Sequence, residues 1–390
     1  MGVLSLRTKP KMPISPLSTN TMSTTVFLEG NVTRPWSGKP LSPSSEALIH
    51  NYRGILERQC LYREESLKFL RPLGSGGQGI VYLSERLGSD HFAVPIAVKV
   101  FSPERYESDS SYFQAMSQLA RVAARVSGIQ HDNLLDVHNW VSHNGIRLMV
   151  MEWVDGFDLS QLLRKNLLTT LKENVSEQRF RYIREVIVTD GPTHARLKPG
   201  VAIAIIRECL GALAALHRNG VIHGDVKPAN IMLKRTGHAK IVDIGSAFEL
   251  KQPGRQTCTP AYAAPEVLEG NIGTPQSDLA SLGYVLIDML AGASPFEEIT
   301  DLAALREAKR NILASLPAML PKEVKSSELL MNFCRTLVAP NLADRFPSAE
   351  AADLFKEGAA NFHRQLVKGD LASEYDNEIR HWIEELRDRK

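Results

Sequence analysis

The eight residues His223-Gly224-Asp225-Val226-Lys227-Pro228-Ala229-Asn230 place a carboxylate, an amine and an amide within six positions. The Asp225 carboxylate can accept a proton from a hydroxyl nucleophile, and the Lys227 amine can neutralise a phosphoryl group in transfer. The Asn230 side chain can ligate Mg²⁺ through its oxygen. Just upstream, apolar residues in the stretch 201–216 recur at steps of three and four, which predicts a core-facing helix. The octapeptide is therefore a candidate loop for phosphoryl transfer.

Two motifs follow this loop. Asp243-Ile244-Gly245 comes after a short apolar pair of strand type and lies 18 residues beyond Asp225. The segment Thr259-Pro260-Ala261-Tyr262-Ala263-Ala264-Pro265-Glu266 comes next, and Asp278 follows it. Another carboxylate, that of Asp243, therefore stands close to the first loop in the sequence.

Two more motifs precede the loop. Gly74-Ser75-Gly76-Gly77-Gln78-Gly79-Ile80-Val81 has the form GxGxxGxV between two stretches of strand type. Glycines let the backbone approach phosphates closely and leave amide N–H groups free to point at them. A glycine-rich hairpin turn without a ligand explains the same pattern. Lys99 ends the apolar run 96–99, 20 residues after Gly79. It fits a phosphate-filled cleft, although a solvated strand lysine is the common alternative.

In order and spacing, these five motifs resemble the eukaryotic-type (Hanks-type) Ser/Thr protein kinase family, over about residues 66–360. The resemblance implies an α+β, bilobal protein-kinase-like fold, with a small β-rich N-lobe and a larger helical C-lobe. We expect the kinase domain over residues 66–363, with the N-lobe at about 66–151 and the C-lobe at about 155–363.

The resemblance also implies a role for each matching residue. Asp225 matches the catalytic base, Lys227 steadies the γ-phosphate, Lys99 holds the α- and β-phosphates, and Thr259 positions the catalytic loop. The implied metal ligands are Asn230 and Asp243. Glu266 and Arg345 match a buried structural ion pair, and Asp278 matches the anchor of the catalytic loop. The implied nucleotide-binding residues are Gly74, Ser75, Gly76, Gly77, Gln78, Gly79, Val81, Ala97, Lys99, Met151, Glu152, Val154 and Asp158.

The activity implied is transfer of the ATP γ-phosphate to Ser or Thr hydroxyls of protein substrates. ATP and Mg²⁺ are the expected cofactors, with Mn²⁺ as an alternative ion. A pseudokinase that serves as a nucleotide-binding scaffold is a second interpretation. A small-molecule kinase is a third, because His-Gly-Asp with an asparagine five residues later also resembles aminoglycoside and choline kinases. Lys227, Thr259 and the Ala264-Pro265-Glu266 segment fit protein substrates better.

One departure from the family concerns Lys99. The family pairs this lysine with a helix glutamate, whose usual spacing falls on Gln118, and residues 111–130 contain no acid. A neutral Gln118 can give Lys99 a hydrogen bond but not the full ion pair. Reduced activity, or replacement by another acid, is therefore expected. This departure is the feature that favours the pseudokinase.

Two other departures lie near Asp225 and Asp243. Gly224 stands where the family has an arginine that pairs with a phosphorylated activation loop, and Arg255 stands where that loop often carries a phosphorylatable residue. We therefore predict activation without a loop phosphate that this position recognises. Ile244 replaces the usual phenylalanine between Asp243 and Gly245, an apolar exchange that a packing site tolerates.

Composition limits the other classes of function. The formal net charge is +2, which gives no support to nucleic-acid binding by bulk charge. No uncharged apolar run reaches about 18 residues, so no membrane span is predicted. Four scattered cysteines do not make a disulfide framework, which favours a reducing compartment such as the cytoplasm.

Residues 1–60 are predicted to be a flexible Ser/Thr/Pro-rich N-terminal tail. Ser, Thr and Pro supply 20 of the first 45 residues, together with five basic residues and one acid. Such a segment buries too little apolar area to offset the entropy of ordering it. A Ser-rich, acid-poor start also fits an organellar transit peptide, so both interpretations stay open.

Two further segments have a distinct composition. An insertion at about 164–199 carries eight basic and four acidic residues, and it is either a solvated surface or a docking site for an acidic partner. The C-terminal stretch 364–390 has apolar residues at i, i+3, i+4 and i+7, which predicts an amphipathic helix. We expect this helix to pack on the C-lobe, with partner binding as the alternative.

Overall fold

A computed structural model of the chain describes residues 26–27, 42–58, 60–61, 67–252, 256–367 and 375–387. The predicted tail is described only at residues 26–27 and 42–60 in part, so the transit-peptide hypothesis lies outside the described residues. Arg255 lies outside them as well. The rest of the predicted kinase domain is described almost throughout.

The N-terminal part is built from strands and two helices. In chain order its elements are β1 (Val26–Phe27), α1 (Pro43–Arg58), β2 (Cys60–Leu61), β3 (Leu67–Gly76), β4 (Gly79–Leu87), β5 (Ala93–Phe101), α2 (Asp109–Val126), β6 (Val137–His143) and β7 (Ile146–Glu152). Strands β2 to β7 form one antiparallel sheet in the order β2-β3-β4-β5-β7-β6. The inner strand β5 is buried from Ile96 to Phe101, which explains why its sequence is nearly all apolar.

Helix α1 occupies a stretch that the sequence predicted to be tail, and the structure corrects that part of the prediction. Leu48, Tyr52 and Ile55 recur at steps of four and three, so they share one face of the helix, and all three are buried. The Asp109 backbone N–H at the start of α2 donates to Ser45 Oγ at 3.1 Å. An apolar face of three large residues therefore outweighs the Ser- and Pro-rich composition at the start of the helix.

The C-terminal part is mainly helical. In chain order its elements are β8 (Gly156–Asp158), α3 (Leu159–Leu162), α4 (Leu167–Asn174), α5 (Glu177–Val186), β9 (Val188–Asp190), β10 (Ala195–Leu197), α6 (Pro199–Arg218), β11 (Val221–Ile222), β12 (Ile231–Lys234), β13 (Ala239–Ile241), β14 (Phe248–Glu249), β15 (Thr257–Cys258), α7 (Pro265–Leu268), α8 (Pro275–Ala291), α9 (Leu302–Arg310), α10 (Ile312–Met319), α11 (Lys322–Lys325), α12 (Glu328–Leu337), α13 (Ala349–Leu354), α14 (Ala359–Val367) and α15 (Tyr375–Arg387). The predicted α+β fold, with a β-rich and a helical lobe, is confirmed.

Helices α6 and α8 form the core of the C-terminal part. Every residue of α8 from Ser277 to Ala291 is buried, and α6 is apolar on nearly every face. Helix α6 is long and apolar enough to cross a membrane, and 78% of its most apolar stretch is buried within the protein. Three short strands in the order β13-β12-β8 lie beside these helices and carry the loops of the candidate site.

The insertion and the C-terminal stretch meet in the structure. Helices α4 and α5 and the hairpin β9–β10 make up the insertion. Arg179 of α5 contacts α15, with 2.7 Å from its Nε to Glu385 Oε1 and 3.2 Å from its Nη1 to Glu378 Oε2. Ile379, Trp382 and Ile383 of α15 are buried, so the predicted apolar face packs on the C-lobe. Helix α14 begins before residue 364, so the C-terminal segment holds the end of one helix and all of a second.

Candidate active site

A cleft of about 640 Å³ lies between the β-sheet and the helical part. All of the residues predicted to bind nucleotide line this cleft: Gly74, Ser75, Gly76, Gly77, Gln78, Gly79, Val81, Ala97, Lys99, Met151, Glu152, Val154 and Asp158. Lys227, Asn230 and Asp243 line it too. The remaining predicted residues, Asp225 and Thr259, are each joined to Lys227.

The glycine-rich turn joins β3 to β4, and Gly79 is its tightest point. Gly79 has φ +139°, and a Cβ atom there would lie 2.0 Å from Val100 O. Only glycine can occupy this position. At Gly74 and Gly76 an added Cβ would meet nothing within 4 Å, so the backbone of the turn is open on that side. The turn therefore offers an uncovered backbone to a ligand in the cleft.

The back of the cleft is fixed by the pairing of β5 with β7, in which Ala97 stands opposite Met151. At the end of β7 the Glu152 carboxylate accepts from Lys240 Nζ at 2.5 Å and from the Asp136 backbone N–H at 2.7 Å. These bonds hold the end of β7, where the resemblance implies nucleotide-binding residues. Asp158 caps α3 through the Gln161 N–H at 3.0 Å, and burial raises the pKa of its carboxyl.

The catalytic-loop residues form one hydrogen-bonded group. Lys227 Nζ lies 2.9 Å from Asp225 Oδ2 and donates to Thr259 Oγ1 at 2.8 Å. Asn230 Nδ2 donates to the Asp225 backbone oxygen at 2.8 Å. Pro228–Asn230 forms a single 3₁₀ turn that brings the asparagine back over the aspartate. The geometry therefore joins the carboxylate, the amine and the amide that the sequence placed within six positions.

Asp278 of α8 holds this loop from inside the core. Its carboxylate accepts from the backbone N–H groups of His223 and Gly224, both at 2.9 Å, and from His217 Nε2 at 2.8 Å. Burial alone would raise the pKa of Asp278, but the bond and charge of His217 hold it below its usual value. A charged acceptor in the core therefore sets the backbone path that leads to Asp225.

Gly224 is needed by this backbone path. It has φ +78°, and an added Cβ would lie 2.9 Å from the backbone oxygen of Ser246. An L-residue at such a φ is strained. The backbone just before Asp225 therefore disfavours any residue with a side chain, arginine included.

Asp243 and Lys99 form an ion pair across the cleft, with 2.5 Å between Oδ1 and Nζ. Burial opposes ionisation of Asp243, but Lys99 outweighs it and lowers the pKa to about 2. The carboxylate is therefore charged at neutral pH. Together with the oxygen of the Asn230 amide it supplies the hard oxygen donors that Mg²⁺ prefers. The residues present fit such an ion.

The second partner of Lys99 is Gln78 of the glycine-rich turn, with 2.7 Å from Nζ to Oε1. The sequence pointed to Gln118 for this task. Gln118 lines a neighbouring cavity beside α2, and no hydrogen bond joins it to Lys99 among the described residues. The sequence placed Gln78 among the nucleotide-binding residues but gave no signal of this contact, because turn position alone does not show which way a side chain points.

The Glu266–Arg345 pair lies below the site. Arg345 donates from Nη1 to Glu266 Oε1 and from Nη2 to Oε2, both at 2.8 Å, so the contact is bidentate. The Arg345 side chain has no exposed area. Arg345 also donates from Nε to the Ala339 backbone oxygen at 2.6 Å. The pair therefore ties the segment after Thr259 to the end of the domain, as the resemblance implied.

Several residues of the cleft wall were not among the predicted site residues, and one of these comes from the C-terminal helix. Ile383 of α15 lines the cleft. The spacing of apolar residues predicted this helix and its apolar face, but periodicity does not show where a helix docks. The C-terminal helix therefore contributes directly to the wall of the candidate site.

Known proteins are similar to this chain in sequence. A protein-family model described as a protein kinase domain matches residues 67–354. Serine/threonine-protein kinase PrkC of Bacillus subtilis (strain 168) is 26% identical over 288 residues, which are 73% of this chain and 39% of PrkC. Serine/threonine-protein kinase PknD of Mycobacterium tuberculosis (strain ATCC 25618 / H37Rv) is 31% identical over 292 residues, 72% of this chain and 38% of PknD. The chain thus matches about two fifths of the length of these relatives.

Among solved structures, the kinase domain of Mycobacterium tuberculosis PknI, crystallised as a double mutant, is similar to this chain. The TM-score is 0.50 and the sequence identity 24%, and the match covers 77% of this chain and 96% of that one. At this level of identity the similarity concerns the fold.

Proposed function

This chain belongs to the protein kinase domain family over residues 67–354, and from that premise we propose that it is a serine/threonine-protein kinase acting on protein substrates. The single observation that carries the proposal is the joined group of Asp225, Lys227 and Thr259, beside a cleft that holds the Lys99–Asp243 pair. Two amines then line one cleft, and a proton acceptor lies 2.9 Å from one of them. This is the equipment that phosphoryl transfer needs, since it depends on positioning and charge neutralisation.

Each residue has a task in the proposed reaction. The Asp225 carboxylate orients a Ser or Thr hydroxyl and accepts its proton. Lys227, held by Thr259 at 2.8 Å, neutralises charge on the phosphoryl group in transfer. Lys99 holds the other phosphates of ATP from the opposite wall. Because Asp278 fixes the loop through two backbone N–H groups, the Asp225 carboxylate is oriented before substrate binds.

Members of this family use ATP with a divalent metal ion. We propose Mg²⁺ here, with Mn²⁺ as an alternative, held by Asp243 and Asn230. Such an ion would neutralise negative charge on the phosphates. The charged Asp243 carboxylate, with its pKa near 2, supports this assignment.

The experiment is transfer of labelled γ-phosphate from Mg-ATP to the protein itself and to a mixture of Ser/Thr substrates. We expect incorporation by the wild type and its loss in Asp225→Asn, which keeps the shape of the side chain but removes the proton acceptor. The melting temperature of each protein shows whether it is folded. A folded wild type that binds ATP but transfers no phosphate would overturn the proposal in favour of a pseudokinase. Transfer to small molecules only would favour the third interpretation.

We also propose that the insertion offers a docking surface for an acidic partner, smaller than its eight basic residues would suggest. Four of its eight basic residues form ion pairs within the chain: Arg179 with Glu378 and Glu385, Arg184 with Asp190, and both Arg196 and Lys198 with Glu323. The other four basic residues are exposed and make no ion pair in the described part of the chain: Arg164, Lys165, Lys172 and Arg181. These four residues define the basic surface.

The basic surface predicts salt-sensitive binding of a fluorescent poly-Glu peptide. Changing Lys165, Lys172 and Arg181 to Glu reverses three charges, and we expect it to abolish binding at low salt. Changing Arg184 and Arg196 to Glu is the comparison, since both already have acidic partners. Equal binding by all three proteins would contradict the proposal.

For the compartment we propose the reducing cytoplasm, which the buried free thiols of Cys209, Cys258 and Cys334 support.

A further inference from the structure

The side chain of Gln78 reaches from the glycine-rich turn into the site. Its Oε1 accepts from Lys99 Nζ at 2.7 Å, and its Nε2 donates to Ser246 Oγ at 3.0 Å. The amide also fills the space beside Gly245, where an added Cβ would lie 1.9 Å from Gln78 Oε1. One amide therefore joins the turn, the strand lysine and the segment after Asp243.

The donors and acceptors fix the orientation of this amide. Lys99 can only donate, so the atom that faces it must be the amide oxygen. The nitrogen then faces Ser246 Oγ, which also accepts from Thr257 Oγ1 at 2.7 Å. Ser246 and Thr257 are both 7% exposed, so these bonds are shielded from water. We call the four residues Lys99, Gln78, Ser246 and Thr257 the Gln78 relay.

Lys99 is 3% exposed, and a buried amine needs acceptors around it. Asp243 supplies one negative charge. Helix α2 supplies no other, because none of its residues after the first is acidic. The described contacts use two of the three ammonium donors, to Asp243 and to Gln78. The third donor remains for a phosphate oxygen.

We propose that Gln78 is a positioning residue for Lys99, doing from the glycine-rich turn what the family's acid does from the helix. Ser246 in turn holds the amide of Gln78, and Thr257 holds Ser246. The inference rests on the proposed kinase function, because it concerns the lysine that binds ATP phosphates. It also links the orientation of Lys99 to Ser246 and Thr257, with neither hydroxyl phosphorylated.

The test compares Gln78→Leu, which cannot accept, with Gln78→Glu, which can. Gln118→Leu is the matched control on α2. Each protein is assayed for phosphate transfer at varied ATP, and its affinity for Mg-ATP is measured by calorimetry. We expect Gln78→Leu to lower kcat/KM for ATP about tenfold to a hundredfold, the range for a lost hydrogen bond to a charged group. Gln78→Glu should recover most of this loss, and Gln118→Leu should stay within about twofold of the wild type.

A structural effect of the turn would give a different pattern, since it would lower activity in Gln78→Glu as much as in Gln78→Leu. That result would overturn the proposal. So would a Gln78→Leu protein with unchanged kcat/KM and Mg-ATP affinity, or a Gln118→Leu protein with the larger loss. If the wild type transfers no phosphate, the kinase proposal fails by itself. Even then, weaker Mg-ATP binding by Gln78→Leu than by Gln118→Leu would show that Gln78 positions Lys99. Equal binding by the two variants would show that it does not.

Discussion

Changing Asp243→Asn should lower phosphate transfer on the order of a thousandfold. The substitution keeps the shape of the side chain but removes the charge that faces Lys99 at 2.5 Å and that would hold the metal ion. Metal-bound charge stabilisation is worth several kcal/mol, and each factor of ten in rate corresponds to about 1.4 kcal/mol. The rate is measured as incorporation of labelled phosphate at saturating Mg-ATP.

Asp90→Asn is the matched control. Asp90 is exposed and has φ +54°, close to the +64° of Asp243, so both variants replace an aspartate in the left-handed region by a side chain that tolerates it well. We expect full activity in this control. Because Asp243 has its pKa lowered to about 2, its charge is constant over neutral pH, and the loss in Asp243→Asn should not depend on pH between 6 and 8. A variant that keeps more than a tenth of wild-type activity would rule out Asp243 as a principal metal ligand.

The motif residues of the cleft could be predicted because each of them depends on local chemistry at a fixed spacing. The turn requires glycine at position 79, because a Cβ there would clash with Val100 O, and this glycine is visible as part of a motif. Asp278 must be an acid because it accepts two backbone N–H groups of the loop. Residues with such strict local requirements form motifs, and the order of the motifs then predicts the fold.

The partner of Lys99 could not be predicted in this way. Helical spacing placed Gln118 at the family's acid position, but spacing gives a backbone position and not the reach of a side chain. The contact with Gln78 depends on a side-chain rotamer and on Ser246, which is 168 residues away in sequence. Helix α1 was missed for a different reason, because its three buried residues are separated by polar ones within a Ser- and Pro-rich stretch.

Charge counting had a similar limit in the insertion. Its excess of basic residues suggested a free surface, yet half of these residues form ion pairs, three of them with acids outside the insertion. Arg179 reaches Glu385, which is 206 positions away. Composition reports how many charges a segment has, whereas the fold decides which of them are neutralised.

The structure changes how the predicted independence from a loop phosphate can be tested. Ser246 and Thr257 are buried and hydrogen-bonded to each other, so loss of either hydroxyl would disturb the Gln78 relay. Reduced activity after their removal would therefore not by itself show a phosphate requirement. Gly224 supports the original prediction, since it has no side chain to pair with a loop phosphate and its φ of +78° disfavours any residue that has one.

Changing Arg345→Met should lower the free energy of unfolding by about 3–5 kcal/mol, the range for removal of one partner from a buried ion pair. The variant leaves the Glu266 carboxylate, whose side chain is 12% exposed, without its bidentate partner. It also leaves the Ala339 oxygen without the donor at 2.6 Å. The measurement is urea unfolding at pH 7, followed by tryptophan fluorescence.

Two comparisons separate the charge from the packing of Arg345. The double variant Glu266→Leu with Arg345→Met buries no lone charge, so it should lose less stability than Arg345→Met alone. Burial by itself would raise the pKa of Glu266, but Arg345 holds it below its usual value. A carboxyl with a depressed folded pKa stabilises the protein above its unfolded pKa of about 4.3, and this stability is lost as the pH falls through the folded value. The difference between wild type and Arg345→Met should therefore be larger at pH 7 than at pH 4. An equal difference at both pH values would show that Arg345 acts through its contacts with backbone oxygens rather than through Glu266.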